Sequence, residues 1–393
     1  MRTTLLTALV LGAAALAPSQ AGAIPAWARK YNMNCSGCHA PAVPRLNAKG
    51  FAFKWAGYRM PEEIGESQEV KQISDYIAAR YRMRYVWRKT ATEPTNTNEF
   101  QFSDATVFAG GPIGKYFGAF LEFEHATDEV ELVNNLYAVA GKEKNFVGAR
   151  VGQMHWLLRG AVAGFDRPTG ISTPTPLGNP LTSNGVPFAF GTDEIGGEAF
   201  YVFMRNRLSF EVLNGVNAAG KGDEAGSATT KDVAAIDQFI YDEDGSGLTA
   251  VAYRGAVPGL DPAIDRTAHF TRLGISANKI YRGFEAMGGY VYARDEDLPV
   301  GATFGAPKVT GSGYWAYAGY TFPMSLTLFS RYEYVDPNRD AARNENRRFV
   351  FGSVLPVNLP EYLRFAAEYT LDSPRATGAN KRHGLTAEAM LNF

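Results

Sequence analysis

Two cysteines and a histidine form the strongest chemical pattern in this sequence. Cys35 and Cys38 are the only cysteines among the 393 residues, and His39 directly follows the second. The spacing C-x-x-C-H is the attachment pattern of haem c. Both thiols add to the vinyl groups, and the imidazole ligates the iron. A thioredoxin-like redox pair is the alternative, but no βαβ pattern surrounds the motif. The motif therefore predicts one covalent haem c, held by Cys35, Cys38 and His39.

A second axial ligand would have to approach the iron from the face opposite His39, where Met, His or water can serve. Met33 precedes the first cysteine too closely to cross the ring. Met60 lies far enough downstream for the chain to wrap the ring edge, so we expect it to be the distal ligand. Its alternative role is to fill a gap in the packing. Met154, which shares a face with Arg150, is a weaker second candidate.

The N-terminus has the three parts of a secretory signal peptide. Arg2 gives a basic start, residues 5–16 form an apolar run, and residues 21–23 (Ala-Gly-Ala) form a cleavage site. The apolar run is too short to span a membrane. We therefore expect residues 1–23 to be removed and the mature chain to work outside the cytoplasm.

The sequence after the signal peptide divides into two parts of unequal size. Residues 24–68 carry the haem motif, and residues 69–393 have a different, strand-like pattern. Below about 40 residues a chain rarely supports its own core. We expect the small haem segment to need another surface to cover the cofactor, so that it plugs or caps the larger domain.

The larger domain alternates with period two, which is typical of β-strands. Apolar-out, charged-in strands of about ten residues are typical of transmembrane barrels, because Arg or Lys facing lipid would cost about 2–4 kcal/mol. The alternation reconciles a membrane protein with a mean hydropathy of −0.19 and a net charge of −1. That balanced charge also argues against a nucleic-acid binder. Residues 69–393 are predicted to form an antiparallel transmembrane β-barrel of about 16 strands, with a soluble sandwich or propeller as the alternative. The predicted lumen-facing charges include Arg80, Arg82, Arg84, Arg88, Arg331, Glu333, Arg364 and Glu368.

The links between candidate strands alternate in length, as expected of barrels with short periplasmic turns and longer external loops. The short link near Thr127-Asp128 is the exception. The longest link, residues 157–194, could fold inward and narrow the pore, or cap the barrel. The final strand ends on Phe393, as in bacterial outer-membrane barrels. Candidate strands begin near residues 73, 99, 115, 129, 145, 195, 207, 234, 247, 266, 283, 312, 325, 346, 361 and 381.

Several residues flank the C-x-x-C-H motif in a recognisable order. They are Ala28-Arg29-Lys30-Tyr31, Pro44, Leu46, Gly50-x-x-Phe53-Lys54 and Gly57-Tyr58. Over about residues 26–58, this head resembles that of the fused cytochrome–porin family, whose best-known members are outer-membrane iron-oxidising cytochromes. The resemblance implies one c-type haem in or under the barrel mouth. It also implies that electrons pass from extracellular Fe(II) to a periplasmic carrier such as a soluble cytochrome c. The family motif carries over to Cys35, Cys38 and His39 but does not settle Met60.

Three functions fit these features. The first is an oxidoreductase that moves electrons inward from Fe(II) across the outer membrane, with lumen carboxylates attracting the cation or merely balancing the arginines. The second is a solute-conducting porin whose haem segment acts as a plug or sensor. The third is an outward conduit that reduces extracellular acceptors. The lumen carboxylates that we expect to draw in Fe(II) are Glu122, Glu124, Glu333 and Glu368.

Overall fold

Sixteen antiparallel strands close the described part of the chain into a barrel. In this computed structural model, each strand pairs with its neighbours in sequence, and β1 pairs with β16, with Arg80 opposite Asn392 and Thr90 opposite Arg382. The prediction of an antiparallel β-barrel of about 16 strands is confirmed. The residues that the structure describes are 26–40, 42–68, 70, 72–90, 96–126, 130–155, 171–222, 230–260, 266–299, 307–358, 362–375 and 380–393, and the predicted signal peptide lies outside them.

The strands begin close to their predicted positions. The largest offset is at β1, predicted near residue 73, because Ile73–Asp75 forms one turn of 3-10 helix before the strand starts. The strands are β1 Ile77–Thr90, β2 Thr97–Ile113, β3 Phe117–His125, β4 Val130–Lys142, β5 Asn145–His155, β6 Asp193–Phe203, β7 Asn206–Leu213, β8 Asp232–Ile240, β9 Gly247–Pro258, β10 Thr267–Tyr281, β11 Phe284–Glu296, β12 Val309–Thr321, β13 Thr327–Asp336, β14 Asn346–Asn358, β15 Tyr362–Pro374 and β16 Arg382–Asn392.

The outer surface of the barrel is apolar and the inner surface is charged. On β14, Phe349 and Phe351 are 39% and 52% exposed, whereas Val350 between them is fully buried. On β13, Leu328 points outward while Arg331 and Glu333 are buried inside. This alternation is what a lipid-facing surface requires, since charged side chains avoid the hydrocarbon. No helix in the described ranges is long and apolar enough to cross a membrane.

The two ends of the barrel differ in the length of their links. Tight hairpins join Lys142 to Asn145, Phe203 to Asn206 and Tyr281 to Phe284, all at one end. We call this the short-turn end and the opposite one the long-link end. The predicted exception is also present, since β3 and β4 are joined by a short link between His125 and Val130 at the long-link end.

The link between β5 and β6 folds into the barrel rather than over it. Its described part, residues 171–192, is called the inward segment below. It contains one short helix, Thr175–Gly178, which is α3 in chain order. Phe188 packs against Tyr253 of β9 and Phe270 of β10, at 4.5 and 5.2 Å between ring centroids. The inward segment therefore fills part of the lumen in the long-link half.

The N-terminal residues 26–40 and 42–66, called the plug below, lie inside the barrel at the short-turn end. Their helices are α1, Ala26–Lys30, and α2, Ala48–Trp55, with single 3-10 turns at Cys35–Gly37 and Pro61–Glu63. The apolar face of α2 packs against inward-facing barrel residues, and Ile171 of the inward segment packs on the same cluster. The two inserts thus meet inside the barrel. The residues in this cluster include Phe51, Trp55, Phe146, Phe200, Ile240 and Phe329.

A charge placed on the outer face near mid-strand should destabilise the barrel strongly. Phe351 lies near the middle of β14, and Phe284 begins β11 at the short-turn end, where it is 64% exposed. We expect Phe351→Arg to lower the free energy of unfolding from lipid vesicles by about 2–4 kcal/mol and Phe284→Arg by about 0–1 kcal/mol. Urea titration of both variants checks this. Equal effects at the two depths would contradict the membrane-spanning arrangement.

Candidate functional site

A single tight turn brings the three motif residues together. The N–H of Cys38 and that of His39 both donate to the carbonyl of Cys35, at 3.1 and 2.9 Å. Both thiols are free. Burial raises the pKa of the Cys35 and Cys38 thiols, so each keeps its proton at neutral pH. The turn presents two protonated thiols and one imidazole to the same cavity.

Asn47 connects this turn to α2. Its side-chain oxygen accepts from the N–H of Gly50 at 2.9 Å, which caps the N-terminus of the helix. Its side-chain nitrogen donates to the carbonyl of Gly37 at 3.1 Å, and its backbone N–H donates to that of Cys38 at 2.9 Å. One residue therefore fixes the motif against the helix that packs into the barrel.

The His39 imidazole is hydrogen-bonded to the backbone of the loop that follows the motif. Its Nδ1 lies 2.8 Å from the carbonyl oxygen of Arg45. A carbonyl can only accept, so Nδ1 carries the proton and Nε2 is left with a lone pair for a metal. Burial lowers the pKa of His39, which favours the neutral form that ligates metals.

The cavity beside the motif lies between the plug and the barrel wall. Its volume is about 280 Å³, and its lining is mostly apolar. The plug contributes the motif and two methionines, and the wall contributes residues from β1, β2, β3 and β16. Plug and wall are joined by stacked rings, with Tyr58 5.0 Å from Trp27 and 4.8 Å from Phe120 between centroids. The wall residues in the lining include Ala78, Arg80, Phe108, Phe120, Glu122 and Asn392.

The candidate distal ligands fall in different places. Met60 lines the cavity and is 6% exposed, within a cluster that includes Phe53 and Phe120. Met33 also lines it, and its sulfur lies 3.8 Å from the Cys38 sulfur, on the side of the thioether positions. Met154 is fully buried with the inward segment, in a separate cluster. The structure thus brings Met60 and Met33 to the motif but not Met154.

The lumen carboxylates divide into two groups. Glu333 and Glu368 are nearly fully buried and accept hydrogen bonds from Thr175 and Ser172 of the inward segment. Glu122 and Glu124 instead pair with Arg80, at 3.5 and 2.5 Å, and their side chains are 12% and 21% exposed. All four therefore have partners, and only the second group lies beside the cavity.

Sequence patterns could not identify the wall residues of this cavity. The wall residues Phe108, Phe120 and Glu122 lie far from the motif along the chain. They occupy inward-facing positions of β2 and β3 that look like those of any other strand. Asn47 had a local signal, because Asn is a strong N-cap residue before a helix.

The donor set present here fits a c-type haem. Two protonated thiols, a neutral imidazole and a buried thioether all border one apolar cavity. Its volume of about 280 Å³ lies just below the range of about 300–1,000 Å³ typical of ligand pockets. Among the described residues, no group of three or more His, Cys, Asp or Glu side chains is arranged to hold a metal ion.

The fold is that of a porin. An anion-selective porin from Comamonas acidovorans superposes with a TM-score of 0.56 at 10% identity, covering 81% of this chain and 98% of that one. Salmonella typhi OmpF, solved with daunomycin, gives 0.54 at 12% identity, covering 80% and 96%. The outer membrane channel DcaP of Acinetobacter baumannii gives 0.52 at 14% identity, also covering 80% and 96%.

These similarities define the class of protein as a porin-fold β-barrel. At sequence identities of 10–14%, they concern the fold and not the function. No protein-family model matches the sequence, and no curated protein matches it. Within the porin fold, this protein carries a plug with two thiols and an imidazole in one cavity.

The close approach of α2 to the motif predicts a sensitive glycine. A Cβ on Gly50 would lie 2.3 Å from the carbonyl oxygen of Cys38, whereas one on Gly37 would meet only the flexible Met33 side chain, at 3.2 Å. We expect Gly50→Ala to destabilise plug docking by about 1–3 kcal/mol. Trypsin should then cut the plug faster than in the wild type, while Gly37→Ala resembles the wild type. Equal cleavage rates in all three proteins would rule out this contact.

Proposed function

We propose that this protein is an outer-membrane electron-transfer protein with one covalent haem c, which carries electrons from extracellular Fe(II) to a periplasmic carrier. The observation that carries the proposal is the single apolar cavity bordered by Cys35, Cys38, His39 and Met60. The resemblance of residues 26–58 to the cytochrome–porin family supports it. The porin fold supports the location, because such barrels reside in outer membranes.

Each residue of the site has a separate role in this proposal. Cys35 and Cys38 would form the two thioether bonds, and His39 and Met60 would ligate the iron. When bound, the haem supplies reversible one-electron chemistry at its iron. The Arg45 carbonyl holds the Nδ1 proton of His39, which fixes the ring and raises the basicity of Nε2. The stacked rings of Trp27, Tyr58 and Phe120 keep water from the cavity.

The position of the cavity sets the route of the donor. Short turns face the periplasm in outer-membrane barrels, so the plug lies in the periplasmic half. Strand β1 continues from Arg80, at the cavity, to Thr90 at the long-link end, a rise of about 25 Å after allowing for tilt. Fe(II) must therefore enter the lumen to approach the site. The route is the side of the lumen lined by β1–β3, where Glu122 and Glu124 keep some exposure.

The overall reaction is a balanced one-electron transfer. Each Fe(II) loses one electron and leaves as Fe(III), and one periplasmic carrier, such as a soluble cytochrome c, gains that electron. Oxidation inside the barrel or at its mouth keeps insoluble Fe(III) out of the periplasm. Acting in this way, the protein is an oxidoreductase whose barrel insulates the cofactor from the membrane.

Solute conduction is the second candidate function, and the comparisons with solved porins favour it. In that case the plug would block or sense the channel. Transfer outward to extracellular acceptors is a variant of the first function, and the reduction potential separates the two directions. A potential far below that of the iron couple would favour outward transfer.

Vesicles test the electron-transfer proposal against conduction. We expect the purified protein to carry covalent haem after denaturing electrophoresis, and external Fe(II) to reduce cytochrome c trapped inside the vesicles. The variant with Cys35→Ala and Cys38→Ala should lose the covalent haem, because no thioether bond then holds the cofactor. Its rate of cytochrome c reduction should fall at least about tenfold.

A parallel batch of vesicles controls for leakage. These vesicles contain the Fe(II) chelator ferrozine in place of cytochrome c. Iron that crosses the barrel and enters the vesicle interior therefore produces colour. We expect little colour with either protein. Strong colour, together with cytochrome c reduction that survives in the cysteine variant, would show iron permeation and overturn the proposal. Heat-modifiable migration on gels confirms that both barrels are folded.

Spectroscopy tests the opposite ligand separately. Met60→Ala should remove the charge-transfer band of a methionine-ligated ferric haem, because the only deeply buried sulfur facing the cavity is then gone from its described lining. Met33→Ala is the matched control and should keep the band. The reverse result would assign the ligand to Met33, and retention of the band in both variants would exclude Met60.

A further inference from the structure

The loop that follows the haem motif is held by the barrel wall as well as by the rest of the plug. This loop, residues 42–45, runs between His39 and the start of α2. Its last residue, Arg45, provides the carbonyl that accepts from His39 Nδ1. Whatever fixes the loop therefore fixes the orientation of the imidazole.

Two residues of β15 form hydrogen bonds with the backbone in the middle of this loop. The hydroxyl of Tyr362 accepts from the backbone N–H of Val43 at 3.1 Å, and Nη1 of Arg364 donates to the carbonyl of Val43 at 2.7 Å. Both side chains are deeply buried, with Tyr362 3% and Arg364 1% exposed. Arg364 is itself held by an ion pair with Glu388 of β16. The loop is thus bound to a rigid part of the sheet through both of Val43's backbone groups.

A third contact holds the end of the loop from a different part of the barrel. The Arg45 guanidinium forms an ion pair with Glu285 of β11, and both side chains are buried. Three strands separate β11 from β15 around the barrel. Contacts from two separated strands restrict the rotation of the loop as well as its position.

We propose that Glu285, Tyr362 and Arg364 are positioning residues by which the barrel wall orients His39 and sets the reduction potential of the haem. The inference rests on the proposed function. A hydrogen bond from Nδ1 to a carbonyl makes the imidazole a stronger donor and stabilises the oxidised iron. The wall strengthens that hydrogen bond by holding the Arg45 carbonyl in place. Removing a contact between the wall and the loop therefore raises the reduction potential of the haem.

The test compares an ionic and a neutral contact. Glu285→Gln removes the carboxylate that holds Arg45, and Tyr362→Phe removes one hydroxyl with no change in charge. We expect both variants to shift the reduction potential upward, the first more than the second, and to change the electron paramagnetic resonance g values of the ferric haem. A shift in Tyr362→Phe cannot arise from altered charge, so it isolates positioning.

Matched controls come from the long-link half of the same barrel. Asp295→Asn alters a buried ion pair with Arg272, and Tyr253→Phe removes a buried hydroxyl that bonds to Asp232. Both should leave the potential and the g values at wild-type values. Wild-type values in Glu285→Gln and Tyr362→Phe, with normal covalent haem, would overturn the inference. A wild-type protein without covalent haem would instead overturn the proposed function, and heat-modifiable migration confirms folding in every variant.

Discussion

The hydrogen-bonding needs of a backbone in lipid determine the rest of this structure. Hydrocarbon offers no partner to an open strand edge, so a membrane-spanning sheet has to close on itself. Here the closure is the pairing of β1 with β16, extended by Phe393, whose N–H donates to the carbonyl of Ala79. A closed sheet of sixteen strands encloses a wide interior. Because the outward positions are mostly apolar, most charged residues near the middle of the strands, such as Arg272 and Arg331, are directed into that interior.

The charged interior in turn selects what can occupy it. Arg272 and Asp295 form a fully buried pair at 2.5 Å, and an unmatched buried charge of this kind would cost about 3–5 kcal/mol. The inward segment meets this need with polar groups, since the Val186 N–H donates to Asp295 at 2.7 Å and the Thr175 N–H donates to Glu333 at the same distance. The plug does likewise through Arg45 and Glu285. Both inserts are therefore held by the same kind of contact, and the candidate site lies where one of them meets the wall.

The strand positions were predictable because the alternation of side chains is a local property of the sequence. Arg331 and Glu333 on β13 are one example, and their predicted inward direction is confirmed by their burial. The turn that gathers Cys35, Cys38 and His39 is local as well. The sequence did not decide whether the inward segment enters the barrel or caps it, because the same polar and small residues suit both arrangements. The wall neighbours of Met60, such as Phe120, lie tens of positions away, and Tyr362 lies 319 positions from Val43; no local pattern records contacts at such separations.

By itself, the sequence predicted the antiparallel barrel, the lumen-facing charges of several strands, and the spacing of thiols and imidazole that is typical of haem c. These follow from periodicity and from short-range spacing, which are set within a few residues. The tertiary structure alone decided that the plug lies inside the short-turn end, that the inward segment fills the other half, and that the wall holds the loop behind His39. Those outcomes depend on which distant charges and apolar surfaces meet when the sheet closes, and only the closed barrel brings them together.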